Sequence, residues 1–168
     1  MMCIAMLCCA VSCKKGNDSS STEPVATTLK IEASAVTNIN NDVLLKLVND
    51  TRLAGCKFGA TTMPPVPVLS WNINLASAAV YHSKYLESIK DLKHENANGA
   101  GVGDRVTAAG YTWKFVAENI AEGQTTEAQV FDAWLKSEGH CKNMMSANVK
   151  EMGAARSGVY WTQVFASK

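Results

Sequence analysis

The segment EGHCKNMM, residues 138–145, sets His140 directly before Cys141. An imidazole beside a thiol suits three different chemistries: a nucleophile with its base, a pair of metal ligands, or two neighbours with separate tasks. Two further histidines stand elsewhere in the chain. His94 opens HENANGAGVG, a polar, glycine-rich stretch that lacks the Gly-Lys-Ser/Thr ending of a phosphate loop. From the residues alone it is either a solvated imidazole or a ligand. His82 shares a helical face with Leu75, Ala78, Ala79, Leu86 and Ile89, which reads as a hydrogen-bonded residue of the core or cleft edge. No HExxH pattern is present, which argues against a dedicated metallohydrolase.

What Cys141 does depends on the compartment. The run MMCIAMLCCAVS is apolar but far short of the ~20 residues a membrane-spanning helix needs, and it reads as the hydrophobic part of a signal, residues 1–12. AVSC followed by KK resembles a bacterial lipoprotein signal, in which Cys13 is acylated and becomes the mature N-terminus. The plainer alternative is a secretory signal cut nearby. A diacylated cysteine, at ~0.8 kcal/mol per buried methylene, holds a domain on a membrane without a spanning helix. KKGNDSSSTEPVATT, residues 14–28, suits a flexible tether, which with its lead-in runs over residues 13–38. Of six cysteines, this leaves Cys56 and Cys141 in the exported domain. Two cysteines in an oxidising compartment are expected to pair, contributing roughly 3–5 kcal/mol in the chain-entropy model. A Cys-His thiol enzyme requires Cys141 free and reactive instead.

A chain of 168 residues with 47% apolar content suffices for one core, and a net charge of +1 offers nothing to a nucleic acid. LKIEASAVT, residues 29–37, reads as a strand or an extended lead-in. In NNDVLLKLVNDTRLAG, Val43, Leu44, Leu47, Val48 and Thr51 recur on one helical face, with Asn41 or Asp42 as cap and Gly55 past the end. KFGATTMPPVPVL, with three prolines, reads as a loop. The longest helix is expected over residues 73–90, and a short one, RVTAA, is capped by Asp104 and closed by Gly110. Thr126 and Gln129 form a capping-box pattern for a helix carrying Val130, Phe131 and Trp134. VKEMGAAR and GVYWTQVFA read as two strands turning at Ser157-Gly158. Helices first and strands later, without βαβ alternation, make an α+β fold with an antiparallel sheet.

The landmarks NDTR, LSWNINLASAA, His94, GDR, AGY, AENIAEG, AWLKSEGHCKNMM and YWTQVF, in this order, resemble the CAP superfamily (SCP/TAPS), and in particular its bacterial SCP-like extracellular branch. The resemblance runs over most of residues 39–168. It implies a three-layer α-β-α sandwich with a central antiparallel sheet and a cleft holding two histidines and two acidic residues. Matched residue by residue, the metal-binding histidines are His94 and His140, and the cleft glutamate is Glu118. Ala117 replaces the glycine usual before that glutamate. The family's second acidic position falls on Ser137, with Glu138 one residue further on; a step of one on a helix turns a side chain by about 100°.

Two imidazoles with open positions imply a weak, exchangeable site for zinc or another divalent ion. In the resemblance's terms the chain is an exported, lipid-anchored binding module for a metal and a small, lipid, glycan or cell-wall ligand. The competing function is a zinc-dependent hydrolase in which Glu118 helps deprotonate a metal-bound water. His82, Glu118 and Glu138 complete the expected cleft. If Cys56 and Cys141 are bridged, His140 and Cys141 have separate tasks, the bridge fixing the backbone from which the histidine reaches the cleft.

Overall fold

The computed structural model describes residues 36–58 and 61–168. The expected signal, Cys13 and nearly all of the tether and lead-in lie outside the described residues. Helix α1 (Asn41–Ala54) starts one residue earlier than the periodicity suggests, because Asn40 is the cap: its side chain accepts from the Val43 N–H at 3.1 Å. Gly55 ends it with φ +74, and a Cβ there would stand 2.7 Å from the Met63 carbonyl oxygen, so glycine is required twice over. The proline-rich stretch is not all loop: β1 (Cys56–Phe58) and β2 (Thr61–Met63) pair as an antiparallel hairpin before the prolines begin.

After β3 (Ser70–Trp71), α2 (Ile73–Ile89) is capped by Asn72, which accepts from the N–H groups of Asn74 and Leu75. Lys90, in the left-handed region at φ 53, stops α2 and turns the chain into the loop that bears His94. Helix α3 (Val102–Ala108) begins at Gly101 and not at Asp104; Asp104 sits inside the first turn and accepts from the Gly101 N–H at 2.9 Å. The AENIAEG landmark lies in an eight-residue strand, β4 (Phe115–Glu122). In α4 (Glu127–Leu135) the Thr126 hydroxyl accepts from Gln129 N–H, while the Gln129 side chain returns to Thr125, one residue before the expected partner. The chain then breaks at Ser137 before α5 (Glu138–Met144), so Trp134 and Glu138 are not on one helix.

Strands β5 (Glu151–Ser157) and β6 (Tyr160–Ser167) form the expected hairpin, with Gly158 and Val159 as the loop. The sheet order is β3-β5-β6-β4. Its long pairs are antiparallel, but β3 runs parallel to β5, so the sheet is mixed and not purely antiparallel as expected. The parallel pair follows from topology: β3 enters before the crossover through α2, and only Ser70 and Trp71 join it.

Two helical layers cover the sheet. On one face Leu75, Ala78, Ala79 and Val106 of α2 and α3 pack on Ala155, Val164 and Ala166. On the other, Leu44, Val48, Val130, Trp134 and Met144 pack on Met152, Ala154, Trp161 and Phe165. Both faces being covered explains why every β6 residue from Tyr160 to Ala166 is buried, the polar Thr162 and Gln163 included. Helix α2 lies so close to β5 that a Cβ on Gly153 would come 2.1 Å from the Ala76 nitrogen.

Candidate functional site

Among the described residues β4 is one of the two outer strands of the sheet, and adjacent residues of a strand point to opposite faces. Glu118 pairs with Val164 and faces the α2 and α3 layer, whereas Asn119 pairs with Gln163 and faces the layer of α1, α4 and α5. The free edge of β4 is where groups from both layers meet.

From the first layer, three side chains converge on Glu118, whose carboxylate is 2% exposed. His94 Nδ1 lies 2.8 Å from Oε1, Arg105 Nη2 donates to Oε2 at 2.6 Å, and His82 Nε2 stands 3.7 Å from Oε1. Arg105 also donates through Nη1 to the His94 carbonyl at 2.9 Å and to the Ala100 carbonyl at 3.1 Å. One guanidinium therefore grips both the backbone of His94 and the carboxylate that its ring meets. His82 is fully buried and fastens the same loop from α2, with Nε2 2.8 Å from the Lys93 carbonyl and Nδ1 3.0 Å from the Asn96 side chain.

The imidazoles differ electrostatically. The hydrogen bond to Glu118 raises the pKa of His94 against a smaller opposing effect of burial. His82 is lowered, chiefly by burial and against the pull of Glu118. His140 is lowered by burial and by the charge of His94, so the two rings sense each other. When His94 is neutral, a carboxylate acceptor at Nδ1 keeps the proton there and leaves Nε2 with its lone pair available.

From the other layer, α5 brings His140, whose ring makes no hydrogen bond among the described residues. Asn143 of α5 donates to the Glu118 carbonyl at 3.1 Å, and Trp134 donates to the Ile120 carbonyl at 3.3 Å, so side chains satisfy the open edge of β4. Glu138, expected in the cleft through the family resemblance, is exposed and ion-paired with Lys142 at 2.5 Å. Cys56 and Cys141 lie with their sulfurs 3.1 Å apart, both as free thiols, with Met63 Sδ 3.7 Å from Cys141. Burial raises the Cys141 pKa to about 12, the opposite of what a thiolate nucleophile needs.

The structure thus brings His82, His94 and Glu118 together around Arg105. The donor set suits a divalent ion only as an open site, since no cluster of three or more His, Cys, Asp or Glu able to hold a metal occurs among the described residues. Arg105, Asn119 and Asn143 had no role assigned from the sequence. The available signal for Asn119 was two adjacent polar residues, Glu118 and Asn119, inside the otherwise apolar FVAENIAE.

Residues 45–165 match the model of the Cysteine-rich secretory protein (CAP) family. The uncharacterized protein YkwD of Bacillus subtilis (strain 168) is 33% identical over 96 residues, 56% of this chain and 37% of that protein. The chain therefore spans little more than a third of that relative. Among solved structures, an extracellular protein containing a SCP domain from Bacillus anthracis aligns at TM-score 0.68 and 25% identity, over 76% of this chain and 40% of that one. An outer surface protein from Borrelia burgdorferi aligns at TM-score 0.65 and 16% identity, over 76% of this chain and 91% of that one, a likeness of fold.

Proposed function

Because the chain belongs to the cysteine-rich secretory protein (CAP) family, we propose that it is an exported, lipid-anchored binding module whose β4-edge cleft holds a divalent ion through His94 and His140. Such an ion, zinc being the natural candidate for two imidazoles, would supply Lewis acidity and open positions for a small, lipid, glycan or cell-wall ligand. Export is supported by the signal-like N-terminus and by the extracellular protein to which the domain is similar. The lipid on Cys13 would attach it to a membrane through the tether.

The observation that carries the reading is the engagement of Glu118 by both oxygens. Its Oε1 meets His94 and its Oε2 is held by a buried guanidinium. A carboxylate so occupied orients His94 and presents Nε2, as an outer partner of a metal-ligating histidine does. The hydrolase alternative needs the same carboxylate to accept a proton from a water. That requires giving up one of two short, charge-assisted bonds to a buried carboxylate, which favours binding over turnover.

Calorimetric titration of zinc into metal-stripped protein spanning residues 29–168, with His94→Ala and His140→Ala, tests this. Binding by the wild type and its loss in both variants is expected. Absence of binding by a folded wild type overturns the metal site and leaves a binding scaffold without an ion.

A further inference from the structure

We propose that Asn119 is the positioning residue that sets where His140 stands relative to His94. The inference rests on the two-histidine reading of the cleft and adds how the second histidine is held.

Asn119 is fully buried, and its amide joins three elements. Nδ2 donates to the His140 carbonyl at 3.2 Å and to Gln163 Oε1 on β6 at 3.1 Å. Oδ1 accepts from Asn143 Nδ2 of α5 at 2.9 Å. The orientation of the amide is fixed by two backbone carbonyls, which only accept. Asn143 must turn its NH2 toward the Glu118 carbonyl, so Asn119 must face it with oxygen, and the Asn119 NH2 is then correctly aimed at His140. Reversing either amide sets acceptor against acceptor.

This arrangement couples the two sides of the cleft through consecutive residues. Glu118 holds the side chain of His94 on one face of β4, and Asn119 holds the main chain of His140 on the other. Among the described residues no strand pairs with the outer edge of β4, and Asn119 and Asn143 bond α5 to it. The His140 ring is without a hydrogen bond of its own among the described residues, so its placement depends on its backbone. Gln163 anchors Asn119 from the neighbouring strand β6, its own Nε2 being without a partner among the described residues.

Copper(II), which imidazoles bind more tightly than zinc, is the probe, read by paramagnetic resonance. The wild type should show two imidazole nitrogens, and His140→Ala one. Asn119→Ala should lose the same nitrogen and bind copper ~10–100-fold more weakly. Val164→Ala, which opens a cavity on the opposite face, should lower stability and keep both nitrogens. Should Asn119→Ala not fold, Asn143→Ala, at a half-buried position, is read in the same way. An Asn variant that retains both nitrogens and wild-type affinity overturns the proposal while leaving the metal reading intact. If the wild type binds no copper through histidine, the metal reading fails. The His140 ring resonances of metal-free Asn119→Ala then decide, a change supporting the positioning role and unchanged shifts overturning it.

Discussion

Replacing Arg105 with methionine should be among the costliest single changes in this domain, and the reason is burial, not bond length. Three ion pairs in the structure are as short as or shorter than Arg105–Glu118 at 2.6 Å: Lys46–Asp50 at 2.6 Å, Lys136–Asp132 at 2.5 Å and Lys142–Glu138 at 2.5 Å. Those three have side chains more than half exposed, whereas Arg105 and Glu118 are each 2% exposed. An exposed pair contributes ~0–1 kcal/mol after screening and side-chain entropy. Removing one partner of a buried pair leaves an uncompensated charge and costs ~3–5 kcal/mol. Arg105 additionally donates to the carbonyls of His94 and Ala100; a methionine removes both bonds, and Ala100 keeps only the one from the Asn96 N–H. Against a total stability of ~5–15 kcal/mol, the loss is a large fraction of what holds the domain folded. Urea unfolding of Arg105→Met beside Lys46→Ala measures the contrast directly, and Arg105→Lys separates charge from reach. If Arg105→Met and Lys46→Ala both cost under ~1 kcal/mol with unchanged denaturant slope, the claim that burial makes this pair matter is refuted.

Oxidation should join Cys56 and Cys141, already 3.1 Å apart; mass spectrometry of protein made in an oxidising compartment should find the bridge, and Cys141→Ser should melt at a lower temperature. Two free thiols and an unchanged melting curve would count against it. Gly153→Ala forces a methyl to within 2.1 Å of the α2 backbone, and should destabilise by ~1–3 kcal/mol or more, visible as a lower urea midpoint. The folded-state pKa values of His82 and His140 lie below the ordinary value, so the unfolded chain binds more protons at these positions. Their share of stability is present above about pH 6.5 and is lost as pH falls through the lowered values. His94 acts oppositely, its share being present below about pH 6.5 and lost as pH rises through the raised value. Urea midpoints between pH 7.5 and 5 should therefore fall less steeply in His82→Gln than in the wild type.

The helices were legible because their signals are local. Asn72 and the spacing of Leu75, Ala79, His82 and Leu86 announce α2 within its own sequence, and Gly55 marks the end of α1. The β6 hairpin was legible for the same reason. The β1–β2 hairpin was not: three prolines nearby dominate the pattern, yet they follow Met63 and leave Cys56–Met63 free to pair. The parallel joining of β3 to β5 depends on where α2 returns the chain, which no two-residue stretch can express. The break at Ser137 had a local signal, a serine able to cap, and it puts Glu138 at the start of a separate helix, exposed and paired with Lys142.

For the site, residue types showed which groups could do chemistry, but not which were already committed. His94 and Glu118 are 24 positions apart, and their sharing one cleft became expected only through family resemblance, while the bond between them was not expected. Arg105 changes the meaning of that bond. With a guanidinium on Oε2, Glu118 is a fixed acceptor that aims an imidazole; without it, the same carboxylate would be a candidate base. Likewise Cys141 beside His140 suggested a nucleophile, yet the thiol faces Cys56 and Met63, while His140, one residue back, is the one that senses the charge of His94. Consecutive residues on α5 serve the sulfur cluster and the metal reading separately, as Glu118 and Asn119 serve opposite faces of β4. The chemistry of this cleft is set by the edge strand that divides it. A substitution on β4 should therefore alter the relation between His94 and His140 more than an equally buried one on β5, because the bonds to both histidines come from β4.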